Sequence, residues 1–304
     1  MFGALRSRIT PSVLLAAGGA GYIVSVASTW LGGGFAAQAE AAPSALSPDE
    51  WRSFKLVARA PITHNTSHFR FALPDSNQVV GLPVASCLLT RAPIGSEKPN
   101  GSRAYVIRPY TPTSLPDARG HFDLVVKAYP QGKMSKHIDD LKVGDTLECK
   151  GPIPKLPYKP NMKKQIGMIA GGSGVTPMLQ VASEILRNPA DKTDVSLIFC
   201  NQSEQDIILR KEIDDMAKQH KNFRVYYVID KAHNKNWAGG LGYVTKEMVQ
   251  QHMPAPSDDN LIMVCGPPPM YKALSGDKAP DKSQGELTGL LKDMGYTPSQ
   301  VFKF

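Results

Sequence analysis

QIGMIAGGSGVTPMLQVASEILRN, residues 165–188, reads as a buried strand, a glycine-rich turn and an amphipathic helix. The run Ile166 to Ala170 is apolar without alternation, which suits a strand covered on both faces. Between strand and helix stands Gly171-Gly172-Ser173-Gly174-Val175-Thr176-Pro177. Glycines let the backbone come close to a phosphate, and a helix N-terminus offers unpaired N–H groups and the positive end of its dipole. Gly172 and Gly174 match the opening of the dinucleotide fingerprint, while Pro177 replaces its third glycine and suits the first helical turn. An ordinary β–α turn is the plainer reading of such a loop; the strand–turn–helix setting favours phosphate binding.

Working toward the C-terminus, DVSLIFCN, a helix from about Ile207 to Gln219, FRVYYVID, a helix near Thr245 to His252, and LIMVC follow in turn. Strands alternating with helices predict a parallel sheet covered on both faces. Toward the N-terminus the texture changes. FKLVARA, FRFALP, ASCLLTRA, RAYVIRPYTP, FDLVVKAY and DTLECKGP are short strand-like runs separated by Pro, Gly, Asn and Asp. They predict a small antiparallel barrel or sandwich of six strands. The fold class is therefore β followed by α/β, with a leader and linker over 1–50, a β-barrel domain over 51–158 and a nucleotide-binding α/β domain over 159–304.

Composition bounds the function. With 304 residues, 42% hydrophobic and 20% charged, the chain can bury two real cores, which excludes a disulfide-stapled miniprotein and a disordered chain. Lys+Arg number 35 against 27 Asp+Glu, giving +8, but no run of five basic residues occurs. That pattern speaks against nucleic acid and for an anionic ligand or an acidic protein partner. Cys87, Cys149, Cys200 and Cys265 form no CxxC pair, so neither a zinc site nor a disulfide framework is expected. The first 39 residues hold Arg6 and Arg8 and no acid. Val13 to Leu31 is uncharged, and as a helix would reach about 28 Å, near the hydrocarbon thickness. Tyr22 and Trp30 suit an interfacial anchor, so a single-pass hydrophobic helix is expected; a cleaved presequence ending in the small-residue run Ala36–Ala42 is the rival, and partial cleavage reconciles the two.

Further motifs carry the chemistry. Arg108-Pro109-Tyr110-Thr111-Pro112-Thr113-Ser114 ends a strand: an Arg fork suits a pyrophosphate, a Tyr can stack on a flat ring system, and the hydroxyls can donate to ribityl or phosphate oxygens. Taken alone it also reads as a strand ending in a Pro turn with a surface Arg. Lys127 and Tyr129 follow in VKAY, then Gly132-Lys133-Met134-Ser135 leads to a short helix at His137 to Leu141, where backbone and Ser135 donors can hold an anion. Cys265-Gly266-Pro267-Pro268-Pro269-Met270 closes the strand LIMVC, and strand carboxyl ends form the ligand crevice of an open parallel sheet. The plainer reading is a buried thiol and prolines that stiffen a turn. The terminal Val301-Phe302-Lys303-Phe304 is an apolar end that buries itself.

In this order, RPYTPTS, VKAY, GKMS, GGSGVTPM, FCNQSEQDIILR, YVID, CGPPPM and VFKF resemble the NADH–cytochrome b5 reductase family within the ferredoxin-reductase-like flavoenzymes, over about residues 54–304. With its leader the chain resembles the fungal mitochondrial form. The resemblance implies an FAD-binding barrel, an NADH-binding α/β domain, and electrons passed from NADH through FAD to cytochrome b5. It puts Arg108 on the FAD pyrophosphate with Pro109 beside it, Tyr110 against the isoalloxazine, and Thr111, Thr113 and Ser114 on the flavin side. It puts Lys127 near flavin and nicotinamide, and Tyr129, Gly132, Lys133, Met134 and Ser135 toward the phosphates. Thr176, beside Pro177, lies at the junction of flavin and NADH. Gly172, Gly174, Cys265, Gly266, Pro267, Pro268 and Met270 shape the NADH pocket. Tyr110, Lys127, Thr176 and Cys265 are the expected catalytic residues. The expected location is the mitochondrial outer membrane, with a cleaved form in the intermembrane space. Two departures are Ser173, where Thr is frequent, and a short segment between Tyr129 and Gly132.

A nicotinamide gives up two electrons as a hydride and a haem accepts one at a time, so a flavin must stand between them and no general-base constellation is required. The seven histidines contain no HExxH, and His64 and His68 read as solvent-facing polar residues rather than metal ligands. Asp230, closing FRVYYVID, reads as an acidic neighbour that disfavours a 2′-phosphate, or as a plain turn residue. Two other functions stay open at this point: the same core feeding a quinone or another haem protein, and a membrane-tethered nucleotide-binding protein without turnover.

Overall fold

The computed structural model describes residues 44–304 apart from His233, so the hydrophobic leader and its expected helix lie outside the described residues. Among the described residues no helix is long and apolar enough to cross a membrane.

Six strands build the first domain: β1 (Arg52–Thr63), β2 (Thr66–Ala72), β3 (Ser86–Ala92), β4 (Val106–Tyr110), β5 (His121–Lys127) and β6 (Thr146–Pro154). They form one antiparallel sheet in the order β4-β3-β6-β1-β2-β5. This is the expected six-stranded antiparallel unit; its edge strands β4 and β5 share no ladder, and α1 (Lys133–Asp140) packs against both. That helix starts before the expected His137 because Met134 and Ile138, four residues apart, bury one face. Alternation along β2 sends Phe69 and Phe71 inward, and Phe71 stacks on Phe122 at 5.3 Å while Phe54 meets that ring edge-on at 5.2 Å. Each such burial contributes about 1.5–3 kcal/mol.

The second domain is an all-parallel sheet of β7 (Gln165–Gly171), β8 (Asp194–Asn201), β9 (Phe223–Ile229), β10 (Gly240–Leu241), β11 (Asn260–Cys265) and β12 (Val301–Lys303), ordered β10-β9-β8-β7-β11-β12. Helices α2 (Val175–Arg187) and α3 (Arg210–Gln219) bury one face through Val175, Met178, Ile185 and Ile213. Helices α4 (Lys246–His252), α5 (Pro268–Leu274) and α6 (Gly289–Asp293) bury the other through Val249, Leu274 and Leu291. Two expectations shift. The helix foreseen from Ile207 starts at Arg210, because Leu209 stands at φ 55° and Ile207 and Ile208 turn into the core. Pro267 to Pro269 do not merely stiffen a loop but start α5, since proline is tolerated where no intrahelical N–H is needed.

Ala85 and Val125 of the first domain join the core against α2, so both domains lie in one compact unit. The chain leaves β7 toward β8, β9 and β10, then returns to lay β11 on the other side of β7. That reversal makes the carboxyl ends of β7 and β11 the border of a crevice.

Candidate functional site

At the crevice the two strand ends approach backbone to backbone. A Cβ on Gly174 would lie 2.3 Å from the Cys265 carbonyl oxygen, and one on Gly171 would lie 2.8 Å from Met270 Sδ and 2.9 Å from Pro267 Cδ. Gly266 is tight for a different reason, its hypothetical Cβ meeting the movable Met270 Sδ at 2.4 Å and the Gly171 backbone only at 3.4 Å. Only glycine fits this approach. Gly172 serves differently, with φ +52° and only Tyr129 Oη near its open side. Gly172–Gly174 form a short 3-10 turn that runs straight into α2. There the Val175 N–H bonds Gly172 O and Ser173 O and no side chain caps the helix, so the positive end of the helix begins at the glycine turn itself. Thr176 is buried and donates to the Ser173 carbonyl at 3.2 Å, and buried Pro177 completes the first turn. These residues can hold an anion against α2 while Pro267, Pro268 and Met270 wall the crevice.

The first domain contributes from β4. The exposed Arg108 guanidinium donates to its neighbour Ile107 O at 2.7 Å and has no acidic partner among the described residues, and Pro109 beside it is exposed at the sheet edge. The Tyr110 phenol is pushed up to about 12 by burial, against the pull of Arg108, so it stays a donor at neutral pH. Thr111 is half-buried past the strand end. Thr113 N donates to Asp123 O at 2.9 Å and Ser114 Oγ accepts from Asp123 N at 3.1 Å. The pair thus straps 111–114 to β5 while the Ser114 hydroxyl keeps its own proton to donate. Beyond β5, Ser135 Oγ accepts from Tyr129 N and donates to Gly132 O, which shapes the turn before α1. Gly132 caps α1 without a side-chain bond, Lys133 is exposed, and α1 offers a second uncapped N-terminus. Met134 departs from expectation: its side chain is buried in the barrel core, leaving only its N–H on the phosphate side.

Two polar contacts cross between the domains here. Tyr129 Oη and Ser173 Oγ are 3.1 Å apart, and Lys127 Nζ donates to Asp206 Oδ1 at 2.8 Å. The Asp206 carboxyl also accepts from Ser203 at 2.6 Å. Burial alone raises its pKa, but the bonds from Lys127 and Ser203 outweigh that and hold it below the usual carboxylate range. Burial pushes the Cys265 thiol up to about 11 despite nearby Tyr271 and Lys278, so it is a neutral wall rather than a thiolate. Tyr271 Oη donates to Phe304 O at 2.8 Å, and the Phe302 and Phe304 rings meet at right angles, 5.0 Å apart.

Asp230 stands apart. It is exposed after β9, two strands from the glycine turn, with its N–H on Asn201 O at 3.1 Å. Tyr243, 87% exposed, follows Gly242, whose N–H bonds Ile229 O beside Asp230. Asp206, which meets Lys127 across the two domains, carries no signal in the sequence. His64 lies 3.9 Å from Asp206 and His68 3.2 Å from Asp123, so the two do not converge, and no group of three or more His, Cys, Asp or Glu gathers among the described residues. The helix N-termini without side-chain caps, the exposed Arg108 and the close-approach glycines fit one phosphate-bearing nucleotide in each domain.

Comparison with known proteins agrees. Residues 53–158 match the oxidoreductase FAD-binding domain and residues 168–276 the oxidoreductase NAD-binding domain. The chain is 54% identical over 261 residues to an NADH-cytochrome b5 reductase-like protein of Arabidopsis thaliana, covering 86% of this chain and 79% of that protein. It is 48% identical over 256 residues to NADH-cytochrome b5 reductase 2 of Emericella nidulans, covering 84% and 78%. The cytochrome b5 reductase domain of Ulva prolifera nitrate reductase superposes with a TM-score of 0.74 at 33% identity, over 86% of this chain and all of that domain.

Proposed function

The chain belongs to the NADH–cytochrome b5 reductase family, and from that membership we propose that it carries electrons from NADH to cytochrome b5 at a membrane surface. It is an NADH-dependent flavoprotein reductase with FAD and NADH as cofactors. The observation that carries the reading is the crevice between β7 and β11, where close-packed glycines and an uncapped helix face the end of β5.

Bound FAD supplies the exchange between the two electrons of a hydride and the single electrons a haem accepts. The side chains bind and orient. Arg108 and the α1 N-terminus with Gly132, Lys133 and Ser135 take the FAD pyrophosphate, and Tyr110 lies against the isoalloxazine. Gly172 to Pro177 take the NADH pyrophosphate at the α2 N-terminus. Thr176 and Cys265 pack at the nicotinamide end, excluding water with two groups that are uncharged at neutral pH. Asp230 disfavours a 2′-phosphate through like charge and so selects NADH over NADPH.

The charge balance supports an acidic partner. A net +8 steers an acidic haem protein toward the reductase, with a rate that falls as salt rises. The leader anchors the enzyme in the mitochondrial outer membrane, and cleavage behind it releases a form into the intermembrane space. Steady-state turnover with NADH tests the acceptor: cytochrome b5 is reduced faster than a soluble quinone, and the advantage shrinks between low and physiological salt. Equal rates for the two acceptors, indifferent to ionic strength, would leave the partner assignment without support.

A further inference from the structure

Lys127 and Asp206 form the only ion pair among the described residues in which both side chains are less than a tenth exposed, at 8% and 7%. Such a pair is a poor source of stability, because desolvating two charges offsets most of their attraction and apolar replacements are often as stable. Its position is more telling. Lys127 is the last residue of β5 in the FAD-binding domain, and β5 packs against the turn at 172–174 in the NAD-binding domain. Asp206 ends the short helical turn Glu204–Asp206 just past the carboxyl end of β8, on the other side of that cleft. It is itself held: Ser203 donates to its second oxygen at 2.6 Å, and its N–H bonds Ser203 O at 3.2 Å. The carboxylate is thus a fixed point, whereas a lysine stem has four rotatable bonds and no shape of its own.

We propose that Asp206 is a positioning residue for nucleotide binding: its carboxylate pins the Lys127 ammonium beside the glycine turn and so sets the width of the NADH cleft between the domains. The proposal rests on the reading that this cleft takes NADH. Unpinned, the Lys127 ammonium swings out of the cleft toward solvent; His64 Nε2, 3.9 Å from the same Asp206 oxygen, is too far to hydrogen-bond that carboxylate and does not take its place. The neighbouring bridge from Tyr129 to Ser173 joins two hydroxyls, one of them on an exposed side chain, and does not replace it.

The test uses the FAD-loaded full chain with two readouts, steady-state kinetics and equilibrium binding of NAD+ by isothermal calorimetry. Asp206→Asn keeps the shape and one acceptor but loses the charge. KM for NADH is expected to rise about ten-fold with kcat within about three-fold, and NAD+ affinity to fall about ten-fold, the worth of one charge-assisted contact. Lys127→Met should lower NAD+ affinity at least as far, and Lys127→Met/Asp206→Asn should bind NAD+ no worse than Lys127→Met alone, because Asp206 acts through Lys127. Lys127→Met/Asp206→Leu guards against misfolding: it should recover the wild-type thermal midpoint while nucleotide affinity stays low. Additive losses, or tighter NAD+ binding in Asp206→Asn, would overturn the proposal, the latter meaning that the carboxylate only repels the nucleotide. Wild-type protein that fails to bind NAD+ at all would instead overturn the NADH reading, and the proposal with it.

Discussion

Replacing Gly174 with alanine puts the close approach of β7 and β11 to a quantitative test. The added Cβ would stand 2.3 Å from the Cys265 carbonyl oxygen, 2.6 Å from its carbonyl carbon and 3.0 Å from Gly266 N, all backbone atoms that cannot rotate away. Ordinary contact begins near 3.4 Å, so the turn and the strand end must part by roughly 1 Å. Overpacking of this kind costs about 1–3 kcal/mol. In a chain of this size that lowers the thermal midpoint by about 5 °C. The effect on function should be larger, since a displacement of about 1 Å at a positioned reactant can cost about a hundred-fold in rate. The assay is kcat/KM for NADH with ferricyanide as acceptor, beside a calorimetric melt and a flavin absorbance spectrum. Gly172→Ala is the comparator. Its φ of +52° is strained for alanine, by about 1–2 kcal/mol, but the nearest atom, Tyr129 Oη, is 3.4 Å away, so stability should fall without a hundred-fold loss of rate. If Gly174→Ala turns over NADH at the wild-type rate with an unchanged midpoint, the close-approach reasoning is wrong.

Other outcomes follow from the same geometry. Arg108→Ala removes an exposed guanidinium that has no acidic partner among the described residues, so folding should be little affected while FAD is lost on gel filtration; full flavin occupancy would count against its pyrophosphate role. Asp123 is gripped by Arg70 through two bonds of 2.8 Å, with His68 at 3.2 Å. Burial raises its pKa, but Arg70 and His68 more than reverse that and hold it well below the usual range. A depressed folded pKa contributes stability above the ordinary carboxylate value of about 3.9 that is lost as pH falls through the folded value. Asp123→Asn should therefore lower the urea midpoint at pH 7 and flatten its decline below about pH 4, and parallel curves for the two proteins would contradict this.

Much of the fold was legible because it is local. Six short apolar or alternating runs became six strands, and the switch to buried strands alternating with amphipathic helices marked the domain change near residue 160. The glycine turn was legible for the same reason: strand, Gly-x-Gly and helix are contiguous. What escaped was long-range or depended on a single dihedral. Nothing around Asp206 announces a partner 79 residues earlier in another domain. The left-handed Leu209 moved a helix start by three residues against a sound apolar periodicity. Met134 looked like part of a phosphate loop because Gly and Ser flank it, yet its spacing from Ile138 sends it into the core. The terminal VFKF was expected to bury itself, and does so as an edge strand: Lys303 is 2% exposed and donates to the carbonyls of Ser275, Asp277 and Glu286, an arrangement no pattern of apolar residues predicts.

The most direct measurement of the central claim is an anaerobic spectrophotometric titration of the purified protein. The account predicts a yellow protein whose flavin absorbance is bleached by one equivalent of NADH and restored by two equivalents of oxidised cytochrome b5, the ratio set by a two-electron donor and a one-electron acceptor. A colourless protein, or a yellow one whose spectrum NADH leaves unchanged, would contradict it.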